Sequence, residues 1–77
     1  MIEDLKRWMI AQALCDSLNL RSTGEKYFIY ESFGVHYVAH AYFLSDRKEV
    51  EVVTFANSYN EIINVLLEIL EERIAES

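Results

Sequence analysis

The alternation of apolar and polar residues divides the chain into two helices that enclose three strands. Residues 2 to 18 contain no Gly or Pro and consist mainly of good helix formers, with Glu3 and Asp4 at the start, where the helix dipole favours acids. Residues 58 to 74 repeat their apolar positions every three to four residues and begin with a capping box over residues 58 to 61. The pattern predicts a helix at each of these two places.

The middle of the chain predicts a small sheet. Its β-branched and aromatic residues alternate with short polar turns, which is typical of strands, and short turns join antiparallel neighbours. The order α-β-β-β-α therefore predicts one α+β domain over residues 1–77, a two-layer sandwich with both helices on one face of a three-stranded antiparallel meander. The predicted first connection spans residues 19–26. The predicted strands span residues 27–31, 35–44 and 49–55, and the turns between them span residues 32–34 and 45–48.

The second strand divides into two sets, because successive strand residues point to opposite faces. One set is Val35, Tyr37, Ala39, Ala41 and Phe43; we assign it to the core because its small alanines let helices approach closely. The other set mixes histidines with apolar residues and would form an uncovered face. Such a face is more apolar than one exposed only to water, which predicts an interaction surface. Together with parts of the first helix and first strand, the predicted interface residues are Trp8, Tyr30, His36, Val38, His40, Tyr42 and Leu44.

The first helix is apolar around most of its girth, and such a helix is usually covered on more than one side. One side would pack on the sheet, and either the second helix or a second copy of the chain would cover the other. Small domains without a disulfide often add core by pairing, so a homodimer is predicted. The two apolar sides consist of Ile2, Leu5, Met9 and Ala13, and of Trp8, Ala11, Cys15 and Leu18.

Acidic residues outnumber basic residues by 13 to 7, which gives a net charge of −6. Acids on the third strand and the second helix predict a face that binds a basic, nucleic-acid-binding protein, in the manner of small nucleic-acid mimics that inhibit host defence proteins for phages or plasmids. Alternatively, these acids only keep the chain soluble, or the chain is a small-molecule-binding or dimeric regulatory module that uses the aromatic sheet face. The predicted acidic face contains Glu49, Glu51, Glu61, Glu68, Glu71 and Glu72.

The sequence predicts no catalytic residue, no metal site and no cofactor. His36 and His40 lie about 13 Å apart along one strand, which is too far to share a zinc ion. Cys15 lies in an apolar stretch and is expected to be a small buried hydrophobe. Glycine-rich phosphate loops and the common hydrolase and zinc motifs are absent from the sequence. We therefore expect a non-enzymatic protein.

The α-β-β-β-α order is similar to that of the double-stranded-RNA-binding domain, in topology only. Such a domain contacts phosphates with lysines at the start of its last helix, where this chain has Ser58-Tyr59-Asn60-Glu61. Without a broad basic footprint, direct binding of nucleic acid is not expected. The chain also shows no apolar run long enough to span a membrane and no signal peptide, so we expect a cytoplasmic protein.

Overall fold

The computed structural model describes residues 2–20 and 24–76, and these residues fold in the order α1-β1-β2-β3-α2. The three strands form one antiparallel sheet in chain order, and both helices pack on the same face of it. This confirms the predicted α+β two-layer sandwich, although residues 21–23 of the predicted first connection lie outside the described residues. The elements are α1 Ile2–Asn19, β1 Glu25–Ser32, β2 Val35–Leu44, β3 Arg47–Ala56 and α2 Tyr59–Glu76.

Two-residue turns connect the strands and fix their register. In the first turn φ is 50° at Phe33 and 77° at Gly34, and in the second it is 60° at Ser45. Tight turns with positive φ match the twist of the two strands that they join. They place Ser32 opposite Val35 and Leu44 opposite Arg47. The strands therefore reach further toward the turns than the sequence predicts.

The hydrophobic core lies between the two helices and one face of the sheet. On the helix side, Ala11, Cys15 and Leu18 of α1 meet Ile62 and Leu66 of α2. Because all five are almost completely buried, the helices are tied to each other as well as to the sheet. The sheet contributes Tyr27, Val38 and Ala56 to this cluster.

The position of Val38 shows that the predicted sheet faces are reversed. Val38 is completely buried in the cluster that contains the helix residues, so its alternation partners on β2 also point toward the helices. The alanine set, which includes Ala39 and Ala41, points away from them. The predicted interface residues that instead lie on the helix-covered face are His36, Val38, His40, Tyr42 and Leu44.

The outer edge of β1 is closed by the last residue of α1. The side-chain oxygen of Asn19 accepts a hydrogen bond from the Tyr27 amide at 2.7 Å, and its Nδ2 donates to the Tyr27 carbonyl at 2.9 Å. The amide side chain thus occupies both backbone groups that a neighbouring strand would use at Tyr27. Asn19 therefore blocks edge-to-edge pairing at this point.

Replacing Phe33 with asparagine is expected to stabilise the protein by about 1 kcal/mol, because positive φ disfavours a bulky side chain and favours Asn. Phe33 is fully exposed, so its removal loses no packing within the chain. Urea unfolding of Phe33→Asn and of wild type measures the difference. A less stable variant would show that the Phe33 ring makes a stabilising contact in the free protein.

Candidate docking surface

The sheet face opposite the helices, which we call the open face, is apolar and aromatic. Cross-strand pairing places Tyr30 of β1, Tyr37 of β2 and Phe55 of β3 in one row across it. Both helices pack on the other side of the sheet, so this face is left to solvent. The open face consists of Lys26, Phe28, Tyr30, Ser32, Val35, Tyr37, Ala39, Ala41, Phe43, Lys48, Val50, Val52 and Phe55.

Large apolar side chains of the open face are strongly exposed. The exposed fraction is 63% for Phe43, 68% for Phe55, 56% for Val50 and 49% for Val52. At about 150 to 250 Å² for a whole aromatic side chain, these residues and their partly exposed neighbours present on the order of 600 Å² of apolar surface. That is the upper end of what a monomer leaves to water, where such patches are often functional.

The aromatic rings on this face are ordered by contacts with one another. Tyr30 and Tyr37 stack with their ring centroids 4.8 Å apart and their planes 6° from parallel. Phe55 lies beyond Tyr37 at 6.1 Å, and Phe28 lies beside Tyr30 at 6.0 Å. Because each ring restricts its neighbour, a partner that binds here immobilises few additional rotamers.

The charges of the sheet are divided unequally between its two faces. Within the described residues, no Asp or Glu lies on the open face, whose charged residues are Lys26 and Lys48. The acids of the strands point to the helix side and are Glu25, Glu31, Glu49 and Glu51. Most of the open face therefore lies away from the carboxylates of this acidic chain, with Glu25 at its border, where it lines a surface depression together with Lys26 and Phe28.

The outer edge of β3 is also unfavourable for pairing with another strand. A β-bulge interrupts the β2–β3 register where Val38 pairs with Thr54 and Ala39 with Val52, which leaves Val53 as the extra residue. Two β3 edges from separate copies would also bring Glu49 and Glu51 side by side with their equivalents. Because Asn19 also blocks strand pairing at the edge of β1, the sheet favours contact through its open face rather than through an edge.

On the helix-covered face, His40 belongs to a hydrogen-bonded network that joins β1 and β2 to the last turn of α2. Its Nε2 lies 3.0 Å from Glu25 Oε2, and because a carboxylate only accepts, this nitrogen carries the proton. Glu25 also accepts a hydrogen bond from Arg73 of α2. The His40 ring stacks on Tyr27 at 4.4 Å, and the Arg73 guanidinium lies 5.6 Å from the centre of the same Tyr27 ring.

The network lowers the pKa of Glu25. Burial acts to raise the pKa of this carboxyl, but the hydrogen bonds and charges of Arg73 and His40 outweigh burial and bring it below 4.5. The hydrogen bond with Glu25 raises the pKa of Arg73 in turn. The carboxylate therefore stays charged near neutral pH and holds the C-terminal end of α2 to the start of β1.

The remaining histidine, His36, and the cysteine, Cys15, are both engaged in contacts within the fold. His36 packs on Tyr59 with ring centroids 3.9 Å apart, and its Nδ1 lies 3.5 Å from Glu31. Cys15 is completely buried, and burial, with the Asp16 charge, raises its pKa to about 11. The predicted burial of Cys15 is confirmed. Among the residues that the structure describes, no three His, Cys, Asp or Glu side chains cluster as metal ligands would.

The predicted acidic face is only partly brought together. At 3.6 residues per turn, Glu61, Glu68 and Glu72 fall within about 40° of one another on α2, whereas Glu71 lies about 80° from their centre. All four are exposed. Glu49 and Glu51 lie on the face of β3 against which α2 packs, but Glu49 pairs with Arg47 at 2.9 Å and Glu51 lies 3.8 Å from His40.

The two remaining predicted interface residues are Trp8 and Tyr30. Trp8 of α1 is 42% exposed and lines a small depression together with Tyr30 and with residues of the helix-covered side such as His36 and Tyr59. The opposite side of α1, with Ile2, Leu5 and Met9, stays exposed, so α2 does not cover it.

Neither described helix, over residues 2–20 and 24–76, is long and apolar enough to cross a membrane.

The open face is thus the face that the sequence assigned to the core, because the helices cover the opposite side of the sheet. Only Tyr30 of the predicted interface set belongs to it. Comparison with known proteins adds no assignment, because no protein-family model, no curated protein and no solved structure matches this chain.

Proposed function

We propose that this chain is a non-enzymatic protein-binding module that binds a partner protein on its open face. One observation carries the proposal: one sheet face is mostly apolar and aromatic and, within the residues that the structure describes, carries no Asp or Glu, although the net charge of the chain is −6. Standard interfaces bury about 800 Å² on each partner, and the exposed apolar surface here approaches that area.

The conformation of Phe33 supports this function. An aromatic residue at positive φ lowers stability, and the fully exposed Phe33 ring gains no compensating contact within the chain. Strain of this kind is concentrated where a protein binds something. Because Phe33 sits in the turn between β1 and β2, at one end of the open face, a partner seated there can reach its ring.

The chemistry of the helix-covered face supports a structural role for its histidines. His36 and His40 are each paired with a carboxylate and packed against a tyrosine. Half-buried polar groups that are satisfied in this way contribute to the stability of the fold. These contacts support the non-enzymatic part of the proposal.

A second candidate function is binding of a basic protein through acids, as a small acidic inhibitor would do. The observation that favours it is the exposed stripe of Glu61, Glu68 and Glu72 on one side of α2. Acids that lie close together on one surface steer a basic partner during association. This candidate uses a different surface from the open face, so one set of variants can separate the two.

The open face is tested by placing a charge on it and comparing retention of a partner. Val52→Asp is expected to lose a protein that wild type retains from an extract of the native host, by at least tenfold, because the carboxylate would be desolvated in the interface. Leu67→Asp, on the exposed side of α2, is the matched control and is expected to retain that protein. Binding is then repeated with the purified partner by titration calorimetry.

The outcomes distinguish the candidates. Retention of the same partner by Val52→Asp at wild-type affinity would contradict the proposal. If reversal of Glu61, Glu68 and Glu72 to lysine releases the partner instead, the acidic stripe is the binding surface. Loss of the partner by Met9→Asp but not by Val52→Asp would assign binding to the exposed apolar side of α1.

A further inference from the structure

The helix-covered side of the sheet has a surface depression at the end where β1 begins. Its volume is about 540 Å³, and its lining includes Glu25, His40, Tyr42 and Glu51. These four residues come from all three strands, and the pairing places them side by side on one face. Because their side chains point to the helix side, binding here is independent of the function proposed for the open face.

Two hydrogen-bond acceptors lie next to each other in this depression. His40 donates from Nε2 to Glu25 at 3.0 Å, so Nδ1 of the neutral ring is an acceptor. Nδ1 lies 3.8 Å from Oε1 of Glu51, which as a carboxylate oxygen also only accepts. That distance is too long for a direct hydrogen bond, but a single nitrogen at about 2.9 Å from each atom fits between them.

The position of Glu51 agrees with a neutral His40 ring. A charged ring would donate from Nδ1 as well, and a charge-assisted hydrogen bond would bring the carboxylate to about 2.8 Å. The Glu51 side chain is 60% exposed and therefore free to move that far, yet it lies at 3.8 Å. The pair is thus arranged to accept two hydrogen bonds from one donor group.

The charge balance of the strands indicates that this donor group is a cation. Glu25 is balanced by Arg73, and Glu49 by an arginine of the same strand. Within residues 2–20 and 24–76, by contrast, the charged or titratable group paired with Glu51 is the His40 ring, which is neutral. The Glu51 carboxylate therefore leaves a negative charge in the depression.

Both helices end near this depression and add to its negative potential. Arg73, in the last turn of α2, bonds to Glu25. Asn19, the last residue of α1, bonds to Tyr27, whose ring stacks on His40 at 4.4 Å. The C-terminal end of a helix carries partial negative charge, and the last turn of α1 contains no basic residue. A cation is favoured at this end of the sheet.

The lining fits an organic cation better than a metal ion. The Tyr42 ring lies 5.3 Å from the His40 ring, and the face of a tyrosine ring attracts cations. In the part of the chain that the structure describes, no three His, Cys, Asp or Glu side chains cluster as metal ligands, whereas zinc takes three or four protein ligands. An ammonium group is held by fewer acceptors.

We propose that this depression binds a primary ammonium group, which donates one hydrogen bond to Nδ1 of His40 and a second to the carboxylate of Glu51, beside the ring of Tyr42. The group belongs either to a small free amine or to a lysine side chain of another protein. His40 keeps its Nε2 bond to Glu25 throughout, so the contacts that hold α2 to the sheet are not disturbed.

The test is a titration of the ¹⁵N-labelled protein followed by NMR at about pH 7.5, where primary amines are protonated. The probe n-butylamine is expected to bind with a Kd on the order of 1 mM and to shift the amide signals of His40 and Glu51. Butyltrimethylammonium has the same charge but no N–H group, so it is expected to bind at least about tenfold more weakly.

One pair of variants tests the role of Glu51. Glu51→Gln is expected to weaken n-butylamine binding about tenfold, because the charged acceptor is lost. Glu49→Gln is the matched control, since it removes the same charge from the same face of β3 two residues away and is expected to bind like wild type. Amide spectra of both variants without amine show whether each is folded.

A further pair of probes identifies the source of the ammonium group. A blocked glycine pentapeptide with one central lysine is compared with the same peptide carrying norleucine, which lacks the ammonium group. Binding of the lysine peptide more tightly than n-butylamine would support the site and assign it to a lysine of another protein. Tighter binding of n-butylamine would support the site and assign it to a free amine.

Three outcomes would overturn the inference. The first is that n-butylamine does not bind, or binds Glu51→Gln as tightly as wild type. The second is equal affinity for butyltrimethylammonium, which would show that charge alone attracts the probe. The third is a pair of His40 ring ¹⁵N shifts typical of a doubly protonated ring in the free protein, because Nδ1 would then donate. None of these results affects the test of the open face with Val52→Asp.

Discussion

Replacing Val38 with aspartate is expected to unfold the protein, whereas the same replacement at Val52 is expected to leave it folded. Val38 is completely buried between the sheet and the helices, so a carboxylate there loses its hydration and the core loses packing. The combined cost exceeds about 4 kcal/mol, which is most of the stability of a small domain. At Val52, half exposed on the open face, the carboxylate stays hydrated and costs about 1 kcal/mol of strand propensity.

Circular dichroism and urea unfolding of the two variants measure this contrast. Both substitutions remove a valine from a strand and add the same charge, so Val52→Asp controls for strand propensity and net charge. A folded Val38→Asp together with an unfolded Val52→Asp would show that the helices cover the other face. Equal losses of stability would show that neither face is preferentially covered.

The element order could be predicted from the sequence because each element has an independent local signal. The capping box over residues 58 to 61 and the period of the apolar residues after it mark α2, which begins at Tyr59. The glycine at position 34 marks the first tight turn, because glycine adopts without cost the positive φ that this turn requires. With two helices and three strands joined by short turns, few arrangements other than a two-layer sandwich remain.

The orientation of the sheet could not be predicted because alternation separates the two faces of a strand without showing which face the helices cover. The sequence predicts a four-residue turn over residues 45 to 48, whereas the structure has a two-residue turn; this moves each β2–β3 pair by two residues and leaves every side chain on its face. With the observed register, Glu49 lies opposite Tyr42 and Glu51 opposite His40. That pairing shows acids and histidines sharing one face.

The two alanines of β2 misled the assignment for a physical reason. Ala39 and Ala41 are small enough for a helix to approach, but the helices of this chain lie on the opposite face, over Val38. On the helix side the core is narrow, and paired polar residues such as His40 and Glu25 border it. The histidines looked like surface residues because their partners are distant in sequence.

Replacing Arg73 with leucine is expected to lower the free energy of unfolding by about 2 kcal/mol at neutral pH, because hydrogen bonds to charged groups contribute about 1.5 to 3 kcal/mol. Arg73 is the basic residue of the last turn of α2 and holds Glu25, whose carboxylate would lose this guanidinium and keep its contact with His40. Leucine preserves the packing of the side-chain stem. Arg7→Leu is the matched control and is expected to change stability by less than about 0.5 kcal/mol, since its pair with Glu3 is exposed.

The same pair predicts how stability depends on pH. The pKa of Glu25 is lowered below 4.5 in the folded state, so the folded chain holds this proton less tightly than the unfolded chain does. The stabilisation is therefore complete above pH 4.5 and is lost as pH falls through the lowered pKa. Urea unfolding between about pH 6 and pH 3 should show a shallower loss of stability in Arg73→Leu than in wild type or Arg7→Leu. Parallel curves for all three proteins would mean that Arg73 does not hold the Glu25 carboxylate in solution.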